Sequence, residues 1–270
     1  MSFKNLQPQI QAYLKNIKTI PDTNEYDCKL CKDTELIIHN KQEVSEWQEW
    51  CDCHWNKEVY RELSKSGINQ KQMDMKIADF RTDDSDHEVM KLRNEMKRMA
   101  TEYVKAPQGL FLASGLTGGG KTLISTIVAK NVASKLKGFV YMKWSDDLSQ
   151  ASKNFNELNP MYWDKLKKVD VLYIDDFLKN QRAKRYGEND EDYHVLRDVP
   201  KFEYDYAFNL IKYRADNEKI TIISTEYSLT EIGRMNPALE GRLTEMIRKG
   251  GKSFYIPNDN KYNYRINGKF

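Results

Sequence analysis

Residues 110–122 read Leu-Phe-Leu-Ala-Ser-Gly-Leu-Thr-Gly-Gly-Gly-Lys-Thr, an apolar run that passes into glycines and ends on a lysine and a hydroxyl. An apolar strand must stop there, the chain must turn, and Leu123, Ile124, Ile127 and Val128 then recur at helical spacing. Gly115-x4-Gly120-Lys121-Thr122 in a strand–turn–helix context is the P-loop pattern. Gly115, Gly118, Gly119 and Gly120 let backbone N–H groups approach phosphate oxygens with no Cβ between. The helix that follows points its positive end at the same anion. In this pattern Lys121 reaches the β- and γ-phosphates, the Thr122 hydroxyl ligates Mg²⁺, and Leu123 completes the phosphate-facing segment. The expectation is a nucleotide site that takes ATP with Mg²⁺.

A second acidic element lies about fifty residues on. Val171-Leu172-Tyr173-Ile174-Asp175-Asp176 is an apolar strand ending in two carboxylates, the form of a Walker B element. Asp175 is expected to hold Mg²⁺ through water, and Asp176 to orient or deprotonate the attacking water. Both motifs end at strand C-termini, where open α/β sheets bind ligands. Ile220 to Glu226 forms another strand with a polar end. Thr225 is the candidate there for contact with the nucleotide, because a carboxylate at Glu226 repels phosphate unless metal or water intervenes; a helix cap before Leu229 is the bland alternative. Arg242, near the start of a helix at 238–248, is a candidate arginine finger acting on a neighbouring subunit's nucleotide, against the simpler reading of a surface ion pair.

After residue 108 strand and helix patterns alternate, which predicts a parallel sheet with helical crossovers. The expected strands are Leu110–Ala113, Phe139–Lys143, Val171–Ile174, Ile220–Ser224 and Ser253–Ile256, with helices near 121–136, 145–156, 202–216 and 238–248. Before this core, residues 3–18 have amphipathic spacing, and a further helix begins near Lys57. Polar residues 69–86 read as a linker, and a helix from 87 carries Leu92, Met96, Met99, Ala100 and Tyr103 on one face. The domain expectation is therefore 1–68, a linker at 69–86, and a core at 87–270. Residues 178–200 read as a surface insertion.

Cys28-x2-Cys31 and Cys51-x-Cys53-His54 have the spacing of two metal-binding knuckles. No apolar run approaches membrane-spanning length and the N-terminus has no apolar signal core, so the expectation is a cytoplasmic protein without membrane contact. Thiols stay reduced in that compartment, which favours structural Zn²⁺ over disulfides. Cys28, Cys31, Cys51 and Cys53 are the expected ligands, with His54 or His39 as alternative fourth donors. The net charge of +3 is uneven: residues 1–70 carry 9 Lys+Arg against 11 Asp+Glu, and residues 71–270 carry 34 against 29. A nucleic-acid contact therefore falls more naturally in the later part.

Together these features resemble the bacterial and phage helicase loaders of the DnaC/DnaI type, which are AAA+ ATPases. The resemblance runs through the cysteine module, Cys-Asp-Cys-His to Leu-Ser-Lys-Ser-Gly-Ile (51–68), the P-loop, the paired aspartates, Ile-Ile-Ser-Thr-Glu-Tyr-Ser-Leu (222–229), Glu-Gly-Arg-Leu (240–243) and Asn263-Tyr264-Arg265. It implies an α/β AAA+ core, a parallel five-stranded sheet between helices, joined to a small N-terminal zinc-binding domain that grips a hexameric replicative helicase. It further implies self-association into a ring or spiral and binding of single-stranded DNA. By position it makes Arg242 an arginine finger and Arg265 a sensor-2-like contact to nucleotide. Glu226 stands where Asn is frequent, and Asp176 where Glu is commoner, so slow hydrolysis is expected. Family members contact DNA just after Walker B, where this chain has Lys179, Arg182, Lys184 and Arg185, followed at once by acidic residues; a solvated charged loop is the alternative. Two other functions fit the core motifs: a transposition-helper ATPase of the IstB type, which generally lacks a cysteine module, and a non-hydrolysing ATP-binding adaptor.

Overall fold

The computed structural model describes residues 26–41, 45–65, 67–136, 138–153, 160–179 and 201–267. By contacts the chain divides into two units, Met1–His54 and Trp55–Phe270. The helix expected at 3–18 and most of the insertion at 178–200 lie outside the described residues.

In the smaller unit, β1 (Leu36–Lys41) and β2 (Ser45–Trp50) pair antiparallel, with Leu36 opposite Trp50 and Lys41 opposite Ser45. No strands are expected here from the sequence pattern. Lys32, Asp33 and Glu35 all have left-handed φ between 51° and 63°, which folds the chain tightly between the first cysteine pair and β1. The Asp33 carboxylate accepts from the Cys28 N–H at 2.9 Å and so closes the first knuckle.

The larger unit begins within α1 (Asp52–Ser64) and continues through α2 (Gln70–Asp74), a 3-10 turn at Ile77–Asp79 and α3 (His87–Lys105). Residues 69–86 are therefore not a linker. Met73 and Phe80 are buried in the same core as Val59 and Leu63 of α1, so all of 55–86 packs with the unit that carries the sheet. Asn69 caps α2 through the Gln72 N–H, and Asp86 caps α3 through Glu88 and Val89.

The sheet follows the expected alternation. Its strands are β3 (Leu110–Gly115), β4 (Phe139–Lys143), β5 (Val171–Asp175), β6 (Ile220–Thr225) and β7 (Lys252–Ile256), all parallel in the order β4-β5-β6-β3-β7. The connecting helices are α4 (Lys121–Ala133), α5 (Trp144–Lys153), α6 (Pro160–Lys168), α7 (Lys201–Asp216), α8 (Leu229–Met235) and α9 (Pro237–Arg248). Of these, α6 and α8 are not among the helices expected from the sequence. Side chains alternate across the sheet as the pleat requires. Phe111, Ala113, Tyr141 and Tyr173 pack on one side with Ile124, Val128, Met96 and Tyr103 from α4 and α3. Leu110, Leu112, Met142, Leu172 and Ile174 pack on the other with Leu166, Leu210, Ile211 and Leu243. Covered on both faces, the strands need the near-continuous apolar runs the sequence provides.

One buried cation ties the second layer together. Arg214 of α7 is fully buried and donates to the carbonyls of Leu166 (2.8 Å), Val169 (2.9 Å) and Ile220 (2.6 Å) and to Thr221 Oγ1 (2.9 Å). It thereby satisfies carbonyls at the end of α6 and the start of β6 that have no water to turn to. Burial pulls its guanidinium down to about 9.

Candidate functional site

The four cysteine sulfurs lie within 4.8 Å of one another. Cys28 and Cys31 come from the knuckle before β1, and Cys51 and Cys53 from the start of α1. The measured pairs are 3.7 Å (Cys28–Cys51) and 3.3 Å (Cys31–Cys53). Tetrahedral Zn²⁺ with Zn–S of about 2.3 Å sets neighbouring sulfurs about 3.8 Å apart, so donor set and spacing suit this ion. Backbone amides of Cys31 and Leu30 hold the Cys28 thiol down to about 7, which favours the thiolate a metal needs. His54 Nδ1 instead meets Glu35 at 2.7 Å and the ring stacks on Trp50. His39 meets Glu49 at 2.9 Å on the hairpin. Neither histidine belongs to the thiol cluster.

In the larger unit the P-loop turns from β3 into α4. Gly118 has φ +79° and a Cβ there would strike the Asn263 side chain, while Gly120, φ +91°, forms the N-cap of α4. Gly115 and Gly119 serve a different neighbour: a Cβ on either would run into Ile256 of β7. Lys121 Nζ curls back to the carbonyls of Gly115 and Leu116, both at 2.7 Å. Burial pulls this ammonium down to about 8.

Across the cleft, Thr122 Oγ1 donates to Asp175 Oδ1 at 3.2 Å. Octahedral Mg²⁺ with oxygen ligands at about 2.1 Å places adjacent oxygens about 3 Å apart, so this pair fits one cation. Asp175 also accepts from the Ser224 hydroxyl and from Tyr141 OH, the latter at 3.2 Å. Burial pushes the Asp175 carboxyl up against the hydrogen bond from Ser224, and the neighbouring Asp176 charge adds to the rise. Asp176 has φ +53°, and its N–H donates to Ser224 Oγ at 3.3 Å. The result is an open cleft of about 330 Å³ lined by Thr117, Gly118, Lys121, Thr122, Asp175 and Asp176, among others. Such a cleft offers an anion cradle on one wall and a cation site on the other.

No family model matches the chain. The phage-like element PBSX protein XkdC of Bacillus subtilis strain 168 is 22% identical over 229 residues, covering 83% of this chain and 81% of its own length. Among solved structures, a DNA replication initiation factor superposes with a TM-score of 0.51 at 15% identity, over 75% of this chain and 54% of that one. A DnaI structure has a TM-score of 0.46 at 16% identity, over 72% of this chain and 94% of that one. The larger unit has the AAA+ P-loop fold.

In that AAA+ frame the expected site residues separate. Leu123 and Arg265 line the cleft with the P-loop. The segment that carries Arg265 is tied down because Tyr264 N–H donates to Gly118 O at 3.1 Å and Asn263 packs on Gly118. Thr225 does not reach the cleft. It is buried, its hydroxyl donates to Phe177 O at 2.9 Å, and Glu226 lines the cleft in its place. Arg242 pairs with Glu245 at 2.8 Å and Asp216 at 3.4 Å. Asp216 ends α7 just before β6 begins, at the opposite edge of the sheet from the P-loop. Arg242 therefore does not serve the nucleotide site of its own chain. Lys179, expected among DNA contacts, lines the cleft and bonds Glu226 and Asp176. Arg182, Lys184 and Arg185 lie outside the described residues.

Tyr141, Ser224 and Thr117 belong to the site and were not anticipated. Tyr141 opposes Tyr173 in the β4–β5 register and reaches two residues further to Asp175. Ser224 precedes the end of β6, the strand beside β5. Only the lateral order of the strands brings these hydroxyls to the carboxylate.

Proposed function

We propose that this protein is an ATP-dependent helicase loader of DNA replication. In this reading the larger unit binds MgATP, the thiol-bearing unit carries Zn²⁺ and grips a hexameric replicative helicase, and copies associate in a ring or spiral that delivers the helicase to single-stranded DNA. The observation that carries the nucleotide half is the convergence of Lys121, Thr122 and Asp175 on one cleft. MgATP supplies the reactive γ-phosphoryl group and the metal charge. Lys121 and the loop amides neutralise phosphate oxygens, Thr122 and Asp175 hold Mg²⁺, and Asp176 orients water. Arg242 acts on the neighbouring subunit's nucleotide, in keeping with its position away from its own cleft. Arg265 contacts the nucleotide in cis, and Arg182, Lys184 and Arg185 are assigned to DNA.

The replication half rests on the sequence resemblance to helicase loaders. The phage-element relative and the fold shared with a replication initiation factor are in keeping with it. The thiol cluster argues against the transposition-helper alternative, which generally lacks one. Mixing the full chain with its hexameric helicase and measuring complex mass, with and without ATP, tests the proposal. A stoichiometric complex whose stability responds to ATP is expected, and no complex under either condition contradicts it.

The adaptor reading has one observation in its favour: Asp176 is held by Lys179 at 3.2 Å. Turnover of ATP that collapses in Asp175→Ala or Arg242→Ala excludes a passive role.

A further inference from the structure

Glu226 directly follows β6, the strand beside β5, and lines the cleft together with Asp175 and Asp176. A carboxylate in that place opposes the ligand. With Asp175 and Asp176 it would put three acids around the phosphate end of the cleft.

The structure contains the compensation. Lys179 Nζ lies 2.9 Å from Glu226 and 3.2 Å from Asp176, and Glu226 in turn accepts from Thr117 of the P-loop at 2.7 Å. Lys179 is brought there by an unusual turn. Asp176 and Leu178 both adopt left-handed φ, +53° and +62°, and the Lys179 N–H donates back to Asp176 O at 2.9 Å. A bulky side chain in the left-handed region costs about 1 kcal/mol or more and persists only where packing enforces it. Here Leu178 is completely buried among Trp144, Leu210 and other residues of the second core layer. The lysine is also close to Lys121: burial lowers the proton affinity of that ammonium, the Glu226 charge opposes the fall, and the Lys179 charge adds to it.

We propose that Lys179 is a second phosphate-binding cation of this site, contacting the terminal phosphate of ATP, and that Glu226 is the positioning residue that aims it. An ammonium has three donors. Two are committed to Glu226 and Asp176, and the third serves the phosphate. Glu226 thus acts on the nucleotide through Lys179, and Thr117 fixes the carboxylate to the loop that binds the same phosphates. This assignment rests on the nucleotide reading of the cleft. It makes Lys179 a discriminator of ATP from ADP, since ADP lacks the group it meets.

The test is an equilibrium titration of the full chain, in Mg²⁺, with fluorescent analogues of ATP and ADP. Variants are Lys179→Met, Lys179→Arg, Glu226→Gln and the Lys179→Met/Glu226→Gln pair. Lys179→Met is expected to weaken ATP binding by about tenfold or more while leaving ADP affinity within about twofold. Lys179→Arg is expected to keep the preference, Glu226→Gln to weaken it less than Lys179→Met, and the double variant to do no better than Lys179→Met alone. An unchanged ATP-to-ADP ratio in Lys179→Met overturns the assignment. So does restoration of that ratio in the double variant, because Lys179 would then only neutralise Glu226. Wild-type protein that binds neither nucleotide would refute the reading of the cleft itself, and the assignment with it. Should Lys179→Met fail to fold, Lys179→Gln replaces it under the same criteria.

Discussion

Thr122 Oγ1 and Asp175 Oδ1 meet at 3.2 Å although 53 residues separate them in the chain. The contact exists because β3 and β5 flank β6 in the sheet and end at the same edge. A hydroxyl at the first turn of α4 and a carboxylate at the last residue of β5 thereby face one point. Burial raises the cost of the carboxylate's charge, and a cation shared with Thr122 removes that cost.

Lys121→Met should abolish phosphate recognition while sparing the fold. Lys121 is 9% exposed and its charge is disfavoured by burial, whereas methionine has similar length and no charge to bury. A loss of about a hundredfold or more in ATP affinity is expected, with thermal stability changed little, since relief of the buried charge offsets the lost donor to the Gly115 and Leu116 carbonyls. Calorimetric binding and a thermal melt on the same sample check both.

Nucleotide affinity should fall at alkaline pH. Free Lys121 titrates near 8, lowered by burial, and a bound phosphate favours its charged form. Below that pH the ammonium is already protonated and binding takes up no proton there. Above it binding must take up a proton, so affinity declines by up to about tenfold per pH unit. Binding constants measured from about pH 7 to about pH 9.5 test this; a flat profile contradicts it.

Cys31→Ser should uncouple the two units functionally. Bound zinc is expected near one equivalent in wild type and below about half an equivalent in the variant, by metal analysis. ATP affinity should not change, because the P-loop, Asp175 and their supports lie in the other unit. Loss of helicase binding with intact nucleotide binding is the expected pattern.

Arg214→Met should be severe for stability and neutral for chemistry. It strands several buried carbonyls at once, including those of Leu166, Val169 and Ile220. A destabilisation of about 4 kcal/mol or more follows, seen as a melting temperature lower by about 10 °C. ATP affinity at low temperature should stay near wild type.

How much of this was legible depended on how local each signal is. The P-loop and the paired aspartates could be read because their chemistry sits in consecutive residues of fixed spacing. Ser224 and Tyr141 could not, because strand order and diagonal reach bring them to Asp175. Thr225 and Glu226 were exchanged because Thr225 is buried with its hydroxyl on Phe177 O, which leaves the next residue, Glu226, to line the cleft. The β1–β2 hairpin escaped notice because its strands carry polar residues such as His39, Gln48 and Glu49 in place of a clear apolar alternation. Residues 69–86 looked like a linker because two buried anchors, Met73 and Phe80, are few among many polar neighbours.

Calorimetric titration with ATP, in the presence and absence of Mg²⁺, bears most directly on the central claim that this cleft is a MgATP switch. One nucleotide per chain is expected, bound more tightly with Mg²⁺, with loss of that Mg²⁺ enhancement in both Thr122→Ala and Asp175→Asn. No binding in wild type, or a Mg²⁺ enhancement that survives in both variants, would contradict it.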